Sequence, residues 1–257
     1  MGYRYETHLH TKEVSACART NAADYISFYQ EKGYSGIIVT DHFFHGNCGI
    51  ARDLSWKEWV EAYCRGYELA KEEGDKRGFS VFFGLEENFE GDEYLVYGVT
   101  KEWLLAHEEV MTRDRREYYR LLHEAGALVV QAHPCRERGY LSDVHLNPYF
   151  VDAAEVINLG NEPYQDGLST EYAKKHGLPM VAGSDMHCCE GNPEVSGIET
   201  DEPLRSIEDF VRLIKTGTGY RLIGEEKRQT EAKMQQPWVH RLPVYQYSRE
   251  GKNVQIL

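Results

Sequence analysis

The residues of this chain best suited to chemistry are histidines and carboxylates in six short segments. They are THLHT (residues 7–11), VTDHF (39–43), FGLEEN (83–88), QAHPC (131–135), AEVINLGN (154–161) and AGSDMH (182–187). His8 and His10 stand two positions apart, and in an extended strand such a pair points to one face. Neutral imidazoles mixed with carboxylates bind zinc, manganese or iron. A lone catalytic zinc needs only three protein ligands, so a set of this size suggests a cluster of two or three ions. A carboxylate usually bridges such ions, and Glu86 or Asp185 would serve. Adjacent ions activate water and clamp phosphoryl oxygens during in-line displacement.

These side chains must be brought together by elements far apart in sequence. Short apolar runs alternate with longer helical patterns. The runs are SGIIVT, FSVFFG, EYLVYG, ALVVQA, AAEVIN and LPMVAG, and the helix candidates are 21–33, 54–74, 101–109, 113–126, 166–176 and 206–217. Gly33 and Gly177 stand just past two of them as stop signals. Strands alternating with helices argue for a parallel sheet, and fully apolar strands for a sheet covered on both sides. A barrel or a doubly wound sheet satisfies both. IIVT runs into Asp41-His42, VFFGL into Glu86-Glu87, LVVQA into His133-Pro134 and MVAGS into Asp185, while AAEVIN supplies Glu155 and Asn158. Reactive residues at successive strand ends describe a site at the C-terminal face of a barrel. Of the other histidines, His107 and His123 are expected to be solvated within helical patterns. His145, His176 and His240 are expected at the surface, and His45 is a candidate substrate contact.

Composition narrows the function. The chain has 257 residues and a net charge of −13. That charge disfavours binding to a nucleic-acid backbone, while a small anionic substrate is compatible if bound cations reverse the local field. There is no apolar run of transmembrane length and no apolar signal region at the N-terminus, so the expected location is the cytoplasm and no membrane partner is expected. The six cysteines form no C-x-x-C pair and are expected to be reduced. Oligomeric state is not readable.

In order and content, the six segments resemble the PHP family, named for polymerase and histidinol phosphatase domains. The resemblance spans residues 3–224. It implies an α/β fold, a distorted (β/α)7 TIM-like barrel in a single domain, with a multinuclear metal centre at the strands' C-terminal ends. Residues 1–224 would form the barrel, and residues 225–257 an extension that packs over its base or at a subunit contact. Carried over motif by motif, His8, His10, Glu86 and Asp185 would hold one metal. Glu86 would bridge to a second that also takes His133, and His42 and His187 would belong to a third. Asp41 would orient a ligand. Asp41, His187 and Arg136 are the candidate catalytic residues, with Arg19, Arg136 and Arg138 near enough to bind phosphate.

Two departures from the family pattern bear on metal binding. A histidine is common a few residues after the H-x-H motif, where this chain has Ala16 and Cys17. Another is common in the strand after G-x-E, where Leu95 stands. Both predict unequal occupancy among two to three divalent ions (Zn, Mn or Fe), with the first position best held. The expected function is a metal-dependent phosphoesterase acting on a small phosphorylated metabolite of the histidinol phosphate or nucleoside monophosphate type. The alternatives are a 3′–5′ exonuclease and a non-catalytic metal-dependent interaction module.

Overall fold

A computed structural model describes residues 2–257 of the chain. Among the described residues, twelve strands and eight α-helices follow one another. The first half contains β1 (Tyr3–Leu9), α1 (Asp24–Glu31), β2 (Gly36–Val39), α2 (Trp56–Tyr63), α3 (Arg65–Arg77), β3 (Ser80–Phe89), β4 (Asp92–Tyr97), α4 (Lys101–Ala106), α5 (Arg115–Glu124) and β5 (Leu128–Gln131). The second contains β6 (Val144–Leu146), β7 (Ala153–Asn158), α6 (Pro163–His176), β8 (Met180–Gly183), β9 (Ile198–Thr200), α7 (Ile207–Thr216), β10 (Tyr220–Leu222), α8 (Glu225–Met234), β11 (Val244–Tyr247) and β12 (Asn253–Gln255).

Seven of these strands make the barrel, in the order β1-β2-β3-β4-β5-β7-β8. The seam closes just past β8, where Leu9 and Met186 form a parallel bridge. His10 N donates to Met186 O at 2.8 Å and Met186 N to His8 O at 3.1 Å. The closing backbone bonds therefore belong to the H-x-H and G-S-D-x-H segments themselves. β9 and β10 continue the sheet outward from β1 as antiparallel strands. The expected distorted barrel is thus present, and the distortion has a definite source. β4 runs antiparallel to both β3 and β5 and follows β3 by a tight turn at Glu90-Gly91 instead of a helix.

Alternation along the strands sorts the interior. Tyr5, Leu95, Tyr97, Leu128, Val130 and Val181 fill the barrel with apolar bulk, joined by Phe210 and Ile214 of α7. The polar donors collect beyond this plug. The helical pattern predicted over 54–74 is two helices, broken at Cys64. Gly66, at the start of α3, lies so close to the site that a Cβ there would collide with Thr11 Oγ1 and Asp41 Oδ2.

Residues 225–257 form α8 and a β11–β12 hairpin, and β11 pairs in parallel with β6. Arg115 ties this segment to the barrel. Its guanidinium lies 2.7 Å from Asp92 Oδ2 and donates to Phe89 O and the Tyr247 hydroxyl. Both charged side chains are buried. Arg115→Met should therefore destabilise the protein by about 3 kcal/mol, because Asp92 is left in the interior without its guanidinium, facing only His145 and the Tyr94 hydroxyl. A urea midpoint shift worth less than about 1 kcal/mol, at unchanged slope, would show that the pair contributes little.

Candidate metal centre

The sites predicted from separate motifs converge at one end of the barrel. His8, at the end of β1, and His10, just beyond it, are fully buried, with their Nε2 atoms 3.1 Å apart. Glu86 of β3 stands between four imidazoles. Its Oε1 is 3.2 Å from His8 Nε2 and 3.3 Å from His133 Nε2, and its Oε2 is 2.9 Å from His42 Nδ1 and 3.4 Å from His10 Nε2. Asp185 Oδ1 lies 3.1 Å from His10 Nε2, 3.4 Å from His8 Nε2 and 3.5 Å from His187 Nδ1. His10, His42 and His187 bring one nitrogen each within 4.8 Å of the others.

The donor set fits cations better than it fits itself. Both Glu86 oxygens, His42 Nδ1 and His133 Nε2 are buried and make no hydrogen bond. An unmet buried polar group costs about 1–3 kcal/mol, so four of them in one cluster are a substantial penalty unless ions take up their lone pairs. His133 and Asp185 also adopt φ of 30° and 54°, a strained backbone that aims donors inward.

The surrounding residues hold these donors in place. Asp41 accepts from Thr11 N, Thr11 Oγ1 and Ser15 Oγ, each at 2.6 Å. Ser15 Oγ in turn accepts from His42 N and lies 3.2 Å from His10 Nδ1. Asp41 thus fixes the loop that orients two of the imidazoles. Glu155 Oε1 is 2.9 Å from His8 Nδ1, and Glu155 Oε2 accepts from His133 N. Such outer partners set the tautomer and angle of a ligating histidine. Glu6, which the sequence reading did not single out, is fully buried and accepts from Thr7 N, His8 N and Ser184 N, so it fastens β1 to β8 beneath the site. Arg136 donates to Asp185 Oδ2 and Asn158 Oδ1 at 2.7 Å and to Asn161 Oδ1 at 2.8 Å. Arg138 donates to Gly160 O, and Arg19 is exposed.

One donor was missed. Leu95, which stands where the family pattern has a histidine, is buried in the apolar plug. Glu93 takes the place: its Oε2 is 3.4 Å from His133 Nε2 and its Oε1 3.8 Å from His42 Nδ1. Residues 93 and 95 share a face of β4, and because that strand is antiparallel its earlier residue lies nearer the mouth. Alternation alone flags Glu93, but only the strand's direction puts it at the mouth. Cys17 lines the same cavity as His42 and His187, and these rings outweigh burial and bring its thiol down to about 6. Away from the centre, His145 and His240 are more buried than expected and face Asp92 and Glu137 at 3.0 and 3.4 Å. His107 is half-buried and stacks on Trp103 with ring centroids 4.2 Å apart.

Charge is strongly coupled here. Burial opposes ionisation of Glu86, but His8 and His42 outweigh it and hold the carboxyl well below its usual range. Burial likewise opposes Asp185, and His8 and Arg136 bring it well below. Burial disfavours charge on His8, yet Glu155, Asp185 and Glu86 raise it well above the usual imidazole value. For His42, burial is overcome by Glu86 and Cys17, again well upward. Burial, aided by His42 and His187, pushes His10 well down. Burial lifts Asp41 to about 6 against hydrogen bonds from Ser15 and Thr11.

A pH dependence follows. A raised imidazole pKa means that His8 and His42 carry protons at neutral pH in the metal-free protein, and a cation must displace them to bind. Metal affinity should therefore rise from about pH 6 to pH 8, with protons released on binding. Calorimetry in buffers of different ionisation enthalpy measures that release; zero protons at pH 7 would contradict the assignment.

No family model matches the sequence, and no curated protein matches it. Solved structures do match the fold. A two-domain protein from Bacteroides vulgatus ATCC 8482, containing a predicted PHP-like metal-dependent phosphoesterase, superposes with a TM-score of 0.64 at 15% identity, covering 91% of this chain and 70% of that one. A protein from Bifidobacterium adolescentis ATCC 15703, assigned as a metal-dependent phosphoesterase, gives 0.53 at 17%, covering 87% and 99%. An amidohydrolase from Chromobacterium violaceum, with bound sulfate and no metal, gives 0.52 at 14%, covering 81% and 96%. The barrel is therefore similar to those of PHP-like phosphoesterases and an amidohydrolase.

Proposed function

We propose that the chain is a metal-dependent phosphoesterase that hydrolyses a small phosphorylated metabolite. The observation that supports this most is the buried cluster around Glu86, whose hydrogen-bonding capacity is left unmet and which opens to a cavity of 580 Å³ lined by Cys17, His42, Glu86, Glu93, Arg136 and His187. That volume suits a small molecule. A second cavity of 380 Å³ shares Asn88, Glu93, Arg136 and Tyr140 with it and offers room for a leaving group.

In this reading His8, His10, Glu86 and Asp185 hold one divalent ion. Glu86, His133 and Glu93 hold a second, and His42 and His187 a third, with Cys17 beside them. Glu93 supplies the donor that Leu95 does not, so the third position is the least well held. When bound, such ions place positive charge on phosphoryl oxygens and make water nucleophilic at neutral pH. The protein's own residues position the rest. Asp41 holds His10 and His42 through Ser15, Arg136 fixes Asp185, and His187, the most accessible imidazole of the cluster, faces the cavity.

The test is hydrolysis of a panel of phosphorylated metabolites by protein loaded with Mn²⁺, Zn²⁺ or Fe²⁺, with a phosphodiester and single-stranded DNA alongside. Release of phosphate from monoesters supports the proposal. Cleavage of DNA alone would favour an exonuclease, and inactivity at verified metal content would leave a binding module.

A further inference from the structure

Beyond the metal donors, a second histidine–carboxyl pair stands beside the cavity, its histidine in the lining and its carboxyl buried behind it. Glu87 is fully buried, next to Glu86 but directed away from the cluster. Its Oε1 accepts from His45 N at 3.0 Å and from Asn88 N at 2.9 Å. Its Oε2 accepts no regular hydrogen bond and lies 3.2 Å from His45 Nδ1. A carboxyl that only stapled a turn would need its backbone contacts alone; this one also faces the imidazole ring through its free oxygen. The His45 side chain is 39% exposed and lines the same 580 Å³ cavity as His42, Glu86 and Asp185. With Nδ1 turned to Glu87, Nε2 is left for a ligand.

The loop carrying His45 is built to hold it. Arg52 donates to the carbonyls of Phe44, Gly46, Cys48 and Ile50. Phe43 N donates to Glu86 O at 2.7 Å, and the His45 ring meets Phe44 edge-on. The charged neighbours are Glu87 from β3 and Arg52 from the following loop, and the Met111 carbonyl also faces the ring. Glu87 outweighs burial and Arg52, and keeps the imidazole above its ordinary value.

We infer that His45, oriented by Glu87, is the general acid that protonates the leaving group, an inference that rests on the phosphoesterase reading. Water forms the new P–O bond. As the ester P–O bond breaks, its electron pair stays on the leaving oxygen, which takes the proton from His45 Nε2. His45 regains a proton through solvent from the one the attacking water loses, so the products are an alcohol and inorganic phosphate. His45 is the catalytic residue in this step and Glu87 a positioning residue.

The experiment compares the metal-loaded protein with its His45→Gln and Glu87→Gln variants on substituted phenyl phosphates, from nitrophenyl to methoxyphenyl. A nitrophenolate leaves without help, whereas a methoxyphenolate needs a proton. General acid catalysis contributes about a hundred- to ten-thousandfold, so His45→Gln should lose at least about a hundredfold in kcat on the methoxyphenyl ester and less than about threefold on the nitrophenyl ester. Glu87→Gln, at unchanged metal content, should keep the parent's preference but bring the alkaline loss of kcat to lower pH, since the imidazole gives up its proton sooner. Equal losses on all esters, or none, overturn the general acid assignment while the phosphoesterase reading stands. A parent protein that hydrolyses no ester overturns both.

Discussion

Glu86→Gln should lower kcat by about a thousandfold or more, beyond the loss expected from a single electrostatic contributor, and should reduce bound metal at the same time. The reason is the position of the carboxylate. Its two oxygens lie 2.9–3.4 Å from nitrogens of His8, His10, His42 and His133, so the substitution affects every candidate metal position together. Gln keeps the shape but loses the negative charge that would hold a cation, and its amide N–H₂ offers no lone pair to one. Asp185→Asn, at the edge of the cluster, should cost about a hundredfold. His123→Ala is the better control, since that side chain is 59% exposed whereas His107 stacks on Trp103. Elemental analysis and steady-state kinetics on the same preparations check both effects. A Glu86→Gln protein with full metal content and near-parental kcat would show that the carboxylate is structural.

Removal of metal should abolish activity and soften the fold. Cations that bind the native cluster but not the unfolded chain stabilise by mass action, about 4 kcal/mol at a thousandfold excess over Kd. For a chain of this size that corresponds to a fall in Tm of roughly 10 °C on chelation. The fall should be largest near neutral pH and above, where cations compete best with the protons of His8 and His42. Mn²⁺, Zn²⁺ or Fe²⁺ should restore both activity and Tm. Full activity in protein shown by elemental analysis to be metal-free would refute the metal-dependent reading, and an unchanged Tm with lost activity would confine the ions to catalysis.

Much of this protein is legible in its residues taken in order. Alternating apolar runs and helical patterns specify a parallel sheet covered on both sides, a barrel or a doubly wound sheet, because a strand covered on both faces has only apolar side chains to bury. Reactive residues just past those runs specify which end of the barrel carries chemistry, because parallel strands all finish at the same face. What the sequence leaves open are relations set by direction and by long-range contact. Leu95 and Glu93 lie on the same face of the same strand, and only the antiparallel course of β4 decides that Glu93 reaches His133 while Leu95 enters the core. Glu86 and Glu87 are adjacent and chemically identical, yet the pleat sends one into the histidine cluster and the other to His45. Arg136 reads as a phosphate ligand near a motif, and the fold gives its guanidinium to Asp185, Asn158 and Asn161. Local patterning determines which element a residue belongs to; which partner its side chain meets depends on backbone that arrives from far along the chain, and no short-range preference encodes that.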